Sequence, residues 1–127
     1  MAGWAEVQAA LRAAYQLDSD TPHELAVTVS GREGRAQRVM VRRYEAWGQE
    51  MVEFRSAFSP AGAFEPGHLL ETNLQLPLGA VAQHGKYLVL VQKACLAHLS
   101  VDGALFLVAQ VSSVADVLEQ RTGTDRF

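Results

Sequence analysis

The run Tyr87-Leu-Val-Leu-Val91 limits the fold more than any other stretch of this chain. Five apolar residues in succession, bounded upstream by His84-Gly85-Lys86, are too short and too sharply punctuated for a buried helix and read as a strand. Side chains alternate across a strand, so this one is apolar on both faces and both must be covered. With residues 79–83 before the His-Gly-Lys turn, residues 87–92 form a predicted hairpin.

The remaining elements follow from period and punctuation. Trp4, Val7, Leu11 and Tyr15 recur at helical spacing, with Glu6, Gln8 and Arg12 off the stripe, so residues 3–16 are expected to form an amphipathic helix. Leu17-Asp-Ser-Asp-Thr-Pro22 reads as a linker of turn residues. Leu25, Val27 and Val29 then alternate with Ala26, Thr28 and Ser30 as in a half-buried strand. Gly31-Arg-Glu-Gly34 supplies a turn into a strand at 38–44, and Ala46-Trp-Gly-Gln49 a second turn into a strand at 51–58. In that third strand Val52, Phe54 and Phe58 oppose Glu53 and Arg55. The segment from Ser59 to Gly67 reads as a Pro/Gly loop, and residues 68–74 as a short helix ended by Pro77. Ser100 is a predicted N-cap, with Asp102 in the first turn of a closing helix at 101–121 and Gly123 as its terminator. The order α-β-β-β-α-β-β-α, without repeats or low-complexity segments, predicts an α+β layer fold with an antiparallel sheet packed by helices.

The 127 residues suit one domain spanning 1–127, and 49% apolar with 20% charged residues is ordinary globular composition. A net charge of −3 gives no global attraction to nucleic acid or anionic lipid. One cysteine, Cys95, forms no internal disulfide, the N-terminal stretch lacks the pattern of a signal peptide, and no uninterrupted apolar run reaches membrane-span length. A cytoplasmic location, with no membrane partner, is expected.

The order of elements carries a resemblance, together with Leu69-Leu-Glu-Thr-Asn73 on the middle helix, the strand at Gly79, the apolar Tyr87-Leu-Val-Leu-Val91 strand and Val114-Ala-Asp116 on the final helix. In these features the chain resembles the YbjN family, within the superfamily of type III secretion chaperones that includes the Tir-chaperone group. The layout is similar over nearly the whole chain and sharpest over residues 68–118. The resemblance implies a secretion-chaperone-like, non-enzymatic fold that forms homodimers and binds a segment of another protein.

Reactive chemistry is sparse. Cys95 and His98 have ligand-like spacing, yet a closed zinc site needs four ligands and no second pair lies nearby. His68 and Glu71 are two ligands without a partner motif, and His68 reads as a first-turn surface residue. Gly31-Arg-Glu-Gly34 lacks the length, the Lys-Ser/Thr and the following helix of a phosphate cradle. No nucleophile-elbow sequence accompanies the serines and histidines. Neither a cofactor nor a metal nor a catalytic residue is expected.

Six of the eleven basic residues fall between Gly31 and Arg55, namely Arg32, Arg35, Arg38, Arg42, Arg43 and Arg55. Alternation places Arg38, Met40, Arg42 and Tyr44 on one face, a pattern that suits either a nucleic-acid backbone or, with Glu33, Glu45, Glu50 and Glu53 alongside, a solvated ion-paired edge. A protein-binding surface explains the large side chains better. Met40, Arg42, Tyr44, Trp47 and Phe54 are the expected partner-binding residues, and Leu70, Leu74, Tyr87, Val89 and Val91 the expected homodimer interface. Phe106, Leu107, Val114 and Val117 add apolar girth to the last helix. The resulting expectation is a chaperone-like adaptor that holds a partner segment by strand addition and apolar pockets, with direct nucleic-acid binding as the alternative.

Overall fold

The computed structural model describes residues 3–31 and 34–121. Its elements are α1 (Trp4–Ala14), β1 (Gln16–Asp20), β2 (Glu24–Ser30), β3 (Ala36–Ala46), β4 (Gln49–Pro60), α2 (Pro66–Gln75), β5 (Ala80–His84), β6 (Tyr87–Cys95) and α3 (Val101–Gln120). The strands form one antiparallel six-stranded sheet in the order β1-β2-β3-β4-β6-β5. This is the expected α+β arrangement with one strand more.

That strand is β1, which occupies the predicted linker. Of its five residues only Leu17 packs toward the core, and Asp18, Ser19 and Asp20 leave no hydrophobic alternation to read. Its formation rests on backbone pairing with β2, opposite Thr28, Val27, Ala26 and Leu25, with a bulge between Leu17 and Ser19. The first helix consequently ends at Ala14.

The middle helix begins at Pro66, before the predicted start at residue 68. Proline at the first helical position loses no intrahelical hydrogen bond, and the Glu65 carboxylate accepts from the amides of Gly67 and His68 at 3.0 and 2.9 Å. Ser100 caps α3 as expected, accepting from the Gly103 amide at 2.9 Å, and Asp102 stands in the first turn. The 31–34 turn lies partly, and Gly123 wholly, outside the described residues.

The two faces of the sheet differ. Leu25, Val27, Val39, Val41, Val52, Phe54, Phe58, Leu88 and Leu90 form one core with Val7 and Leu11 of α1 and Ala104, Val108, Val111, Ala115 and Leu118 of α3. Both long helices therefore lie on one side. The alternate residues, from Ala26 and Met40 to Arg55 and Val89, belong to no part of that core and form an open face. By length and composition α3 would be able to cross a membrane. In this fold it is the core helix, and it carries Glu119 buried against the sheet.

Polar groups bind α3 to β3. Gln37 donates to Glu119 at 3.2 Å and accepts from Ser56 Oγ at 3.1 Å, while Arg35 reaches Asp116 at 3.1 Å. The Gln37–Glu119 and Arg35–Asp116 contacts cross more than eighty residues of sequence and fix the helix's register on the sheet.

Candidate functional site

Alternation along β3 sends Arg38, Met40, Arg42 and Tyr44 to the open face, as expected, and the register places Met40 opposite Arg55, Arg42 opposite Glu53 and Tyr44 opposite Met51. On β6, Tyr87, Val89, Val91 and Lys93 share that face, with Val89 opposite Ala57 and Lys93 opposite Glu53. Three strands thus bring together residues far apart in sequence, from Arg38 to Lys93.

Glu53 is the electrostatic centre of this face. Its carboxylate lies 3.1 Å from Arg55, 3.7 Å from Arg42 and 3.9 Å from Lys93. Arg42 stacks 4.8 Å from the centre of the Tyr44 ring, and the Lys93 ammonium lies 5.9 Å from it. Arg38 pairs with Asp18 at 3.4 Å. Beside this network is a cavity of about 370 Å³ lined by Arg38, Met40, Arg55, Ala57, His84, Tyr87 and Val89.

The expected partner-binding residues do not form one set. Met40, Arg42 and Tyr44 lie together on the open face. Trp47 stands apart at the tip of the β3–β4 turn, fully exposed, with φ of 51° followed by Gly48 at 75°. Both angles are positive, as a two-residue hairpin turn requires, and Gly accepts this freely while Trp does not. Phe54 is not a surface residue: it is 0% exposed in the core, on the opposite face from Met40. Its alternation in phase with Val52 and Phe58 places it there, and aromatic size by itself does not decide exposure.

The expected dimer residues also divide. Leu70 and Leu74 are 72% and 89% exposed on α2, a helix none of whose residues is buried. Tyr87, Val89 and Val91 belong to the open face, separated from α2 by β5. Val89 is only 5% exposed, so neighbours within the chain already cover it, whereas Tyr87 on the same face is 47% exposed. On α3, Leu107 and Val114 pack against the core, leaving Phe106 and Val117 exposed.

The sheet edges are closed by devices that periodicity does not reveal. At β5, the Asn73 side chain accepts from the Val81 amide and donates to the Val81 carbonyl. At β1, a bulge interrupts the strand, Asp18 accepts from Thr28 Oγ1 at 2.6 Å and Asp20 accepts two bonds from Arg12 at 2.7 and 2.9 Å. The hydrogen bonds from Arg12 hold Asp20 below the ordinary aspartate range. Between α2 and α3 lies a second cavity of about 360 Å³, lined by His68, Thr72, Leu76, Ser113, Val117 and Arg121 among others.

Groups with reactive potential are dispersed. No cluster of three or more metal-binding side chains occurs among the described residues. Cys95 Sγ lies 3.8 Å from Gln49 Oε1, and His68 stacks on Phe64.

No family model and no curated protein matches this sequence. The fold is nevertheless similar to a chain in the solved structure of the HopA1-SchA chaperone-effector complex, with a TM-score of 0.67 over 91% of each chain and 10% identity. At that identity the likeness is one of fold: the chain has the α+β architecture of a protein found in a chaperone-effector assembly.

Proposed function

We propose that this chain is a chaperone-like, protein-binding adaptor of the YbjN type, cytoplasmic and homodimeric, which holds a segment of a partner protein. Binding, not catalysis, is the activity we assign. The observation that carries the reading is α2. A helix that buries none of its own residues and exposes two leucines four positions apart is built to be covered by another chain. The fold likeness and the resemblance through Leu69-Leu-Glu-Thr-Asn73 support the same direction.

In this reading Leu70 and Leu74 lie in the homodimer contact. Because Asn73 closes the neighbouring β5 edge and a bulge with two aspartates blunts β1, client capture by side-chain surfaces is better supported than strand addition. The nucleic-acid alternative is weakened at the ring: two cations already attend the Tyr44 face that a base would need for stacking.

Light scattering on the wild type at tens of micromolar, beside a Leu70→Glu, Leu74→Glu variant with unchanged circular dichroism, tests the dimer. A wild-type dimer and a monomeric variant are expected; a wild-type monomer removes the homodimer from the proposal.

A further inference from the structure

From the cavity on the open face we infer the chemistry of the partner: an acidic segment carrying an apolar anchor, which docks across β3, β4 and β6. The inference rests on the protein-binding reading above and adds a location and a charge to it.

The floor and the rim carry the argument. Among the described residues no helix lies over Ala26 and Val89, which neighbouring side chains bury, and Met40 and Ala57 continue the same apolar surface. The cavity of about 370 Å³ is large enough for an apolar side chain, and its lining residues with polar groups are Arg38, Arg55, His84 and Tyr87, with no carboxylate among the described residues. Over the wider face, among the described residues, Arg38, Arg42, Arg55 and Lys93 meet Asp18, Glu24 and Glu53, in a chain whose overall charge is −3. Glu53 alone serves three of the cations, and each guanidinium has five N–H donors. Carboxylates of an incoming segment replace water on these solvent-facing cations, while its anchor packs on Met40, Ala57 and the half-exposed Tyr87. A polynucleotide fits less well, because the cavity floor is Met40, Ala57 and Val89 and the Tyr44 ring is occupied.

A random dodecapeptide library displayed on phage and selected on the full chain tests this. We expect recovered peptides rich in Asp and Glu around a Leu, Met or Phe. The best, labelled for anisotropy, should bind more weakly as salt rises and lose about tenfold or more in affinity to the folded Arg38→Gln, Arg55→Gln variant. Ala57→Met, which fills the cavity and keeps both arginines, should give a similar loss. Peptides without acidic enrichment, or with affinity unchanged in both variants, overturn the inference and leave the adaptor reading with a site elsewhere. A selection that returns no binders overturns both. Preferential binding of a short oligodeoxythymidylate, abolished by the arginine substitutions, overturns the inference in favour of nucleic acid. Loss of dimerisation in these variants, with Leu70→Glu, Leu74→Glu still dimeric, shows a second copy on the face and likewise overturns it.

Discussion

Asn73 acts as a substitute strand for Val81: one amide side chain on α2 satisfies both the N–H and the C=O that β5 would otherwise offer to another chain. Replacing Asn73 by Ala leaves these groups to a site only partly open to water. A loss of about 1–3 kcal/mol in urea unfolding is expected, accompanied by concentration-dependent association through the freed edge. Unchanged stability and unchanged light scattering would show that water serves Val81 equally well.

Phe54 and Trp47 give opposite expectations from similar residue types. Phe54→Ala opens a cavity at the centre of the core and should cost about 3–5 kcal/mol. Trp47→Asn removes a fully exposed ring from a backbone with positive φ that Asn tolerates better, so stability should stay level or rise by up to about 1 kcal/mol. Thermal melts of the two variants distinguish core from tip directly.

Gln37 links Ser56 to the buried Glu119, so Gln37→Leu leaves both with fewer partners. Destabilisation of about 1–3 kcal/mol is expected, although leucine is the more apolar residue. A variant as stable as wild type would mean that the polar bridge adds nothing to how α3 seats on β3.

The two backbone amides that cap α2 hold Glu65 below the ordinary glutamate range, the Gly67 bond contributing most. Because the folded state binds the proton more weakly than the unfolded chain, this carboxylate stabilises the fold above its unfolded pKa, and the contribution fades as pH falls through the lower folded value. Carbon-detected NMR should find Glu65 titrating below a typical glutamate, and Glu65→Gln should flatten stability against pH in the acidic range. A normal titration would remove the cap as an electrostatic feature.

Local patterning suffices for the α+β class, the period and facing of β2, β3 and β4, the β5–β6 hairpin and the capped final helix. Each of these depends on local geometry: alternation in strands, three- and four-residue steps in helices, and turn residues at fixed offsets. It also placed Met40, Arg42 and Tyr44 together, because one strand's parity is a local property.

Tertiary structure alone decided the rest. β1 exists because the β2 edge offers backbone partners, and hydrogen bonding of that kind leaves almost no hydrophobic trace in Gln-Leu-Asp-Ser-Asp. Phe54 went to the core and Trp47 to a turn tip, although both are large aromatic residues of the same hairpin; burial follows which face the helices cover. Leu70 and Val89 lie apart because strand order, and not sequence distance, sets what lies beside what. The cavity between Arg38 and Arg55 and the pairing of Asn73 with Val81 arise from register between segments, a relation that no single stretch of residues encodes.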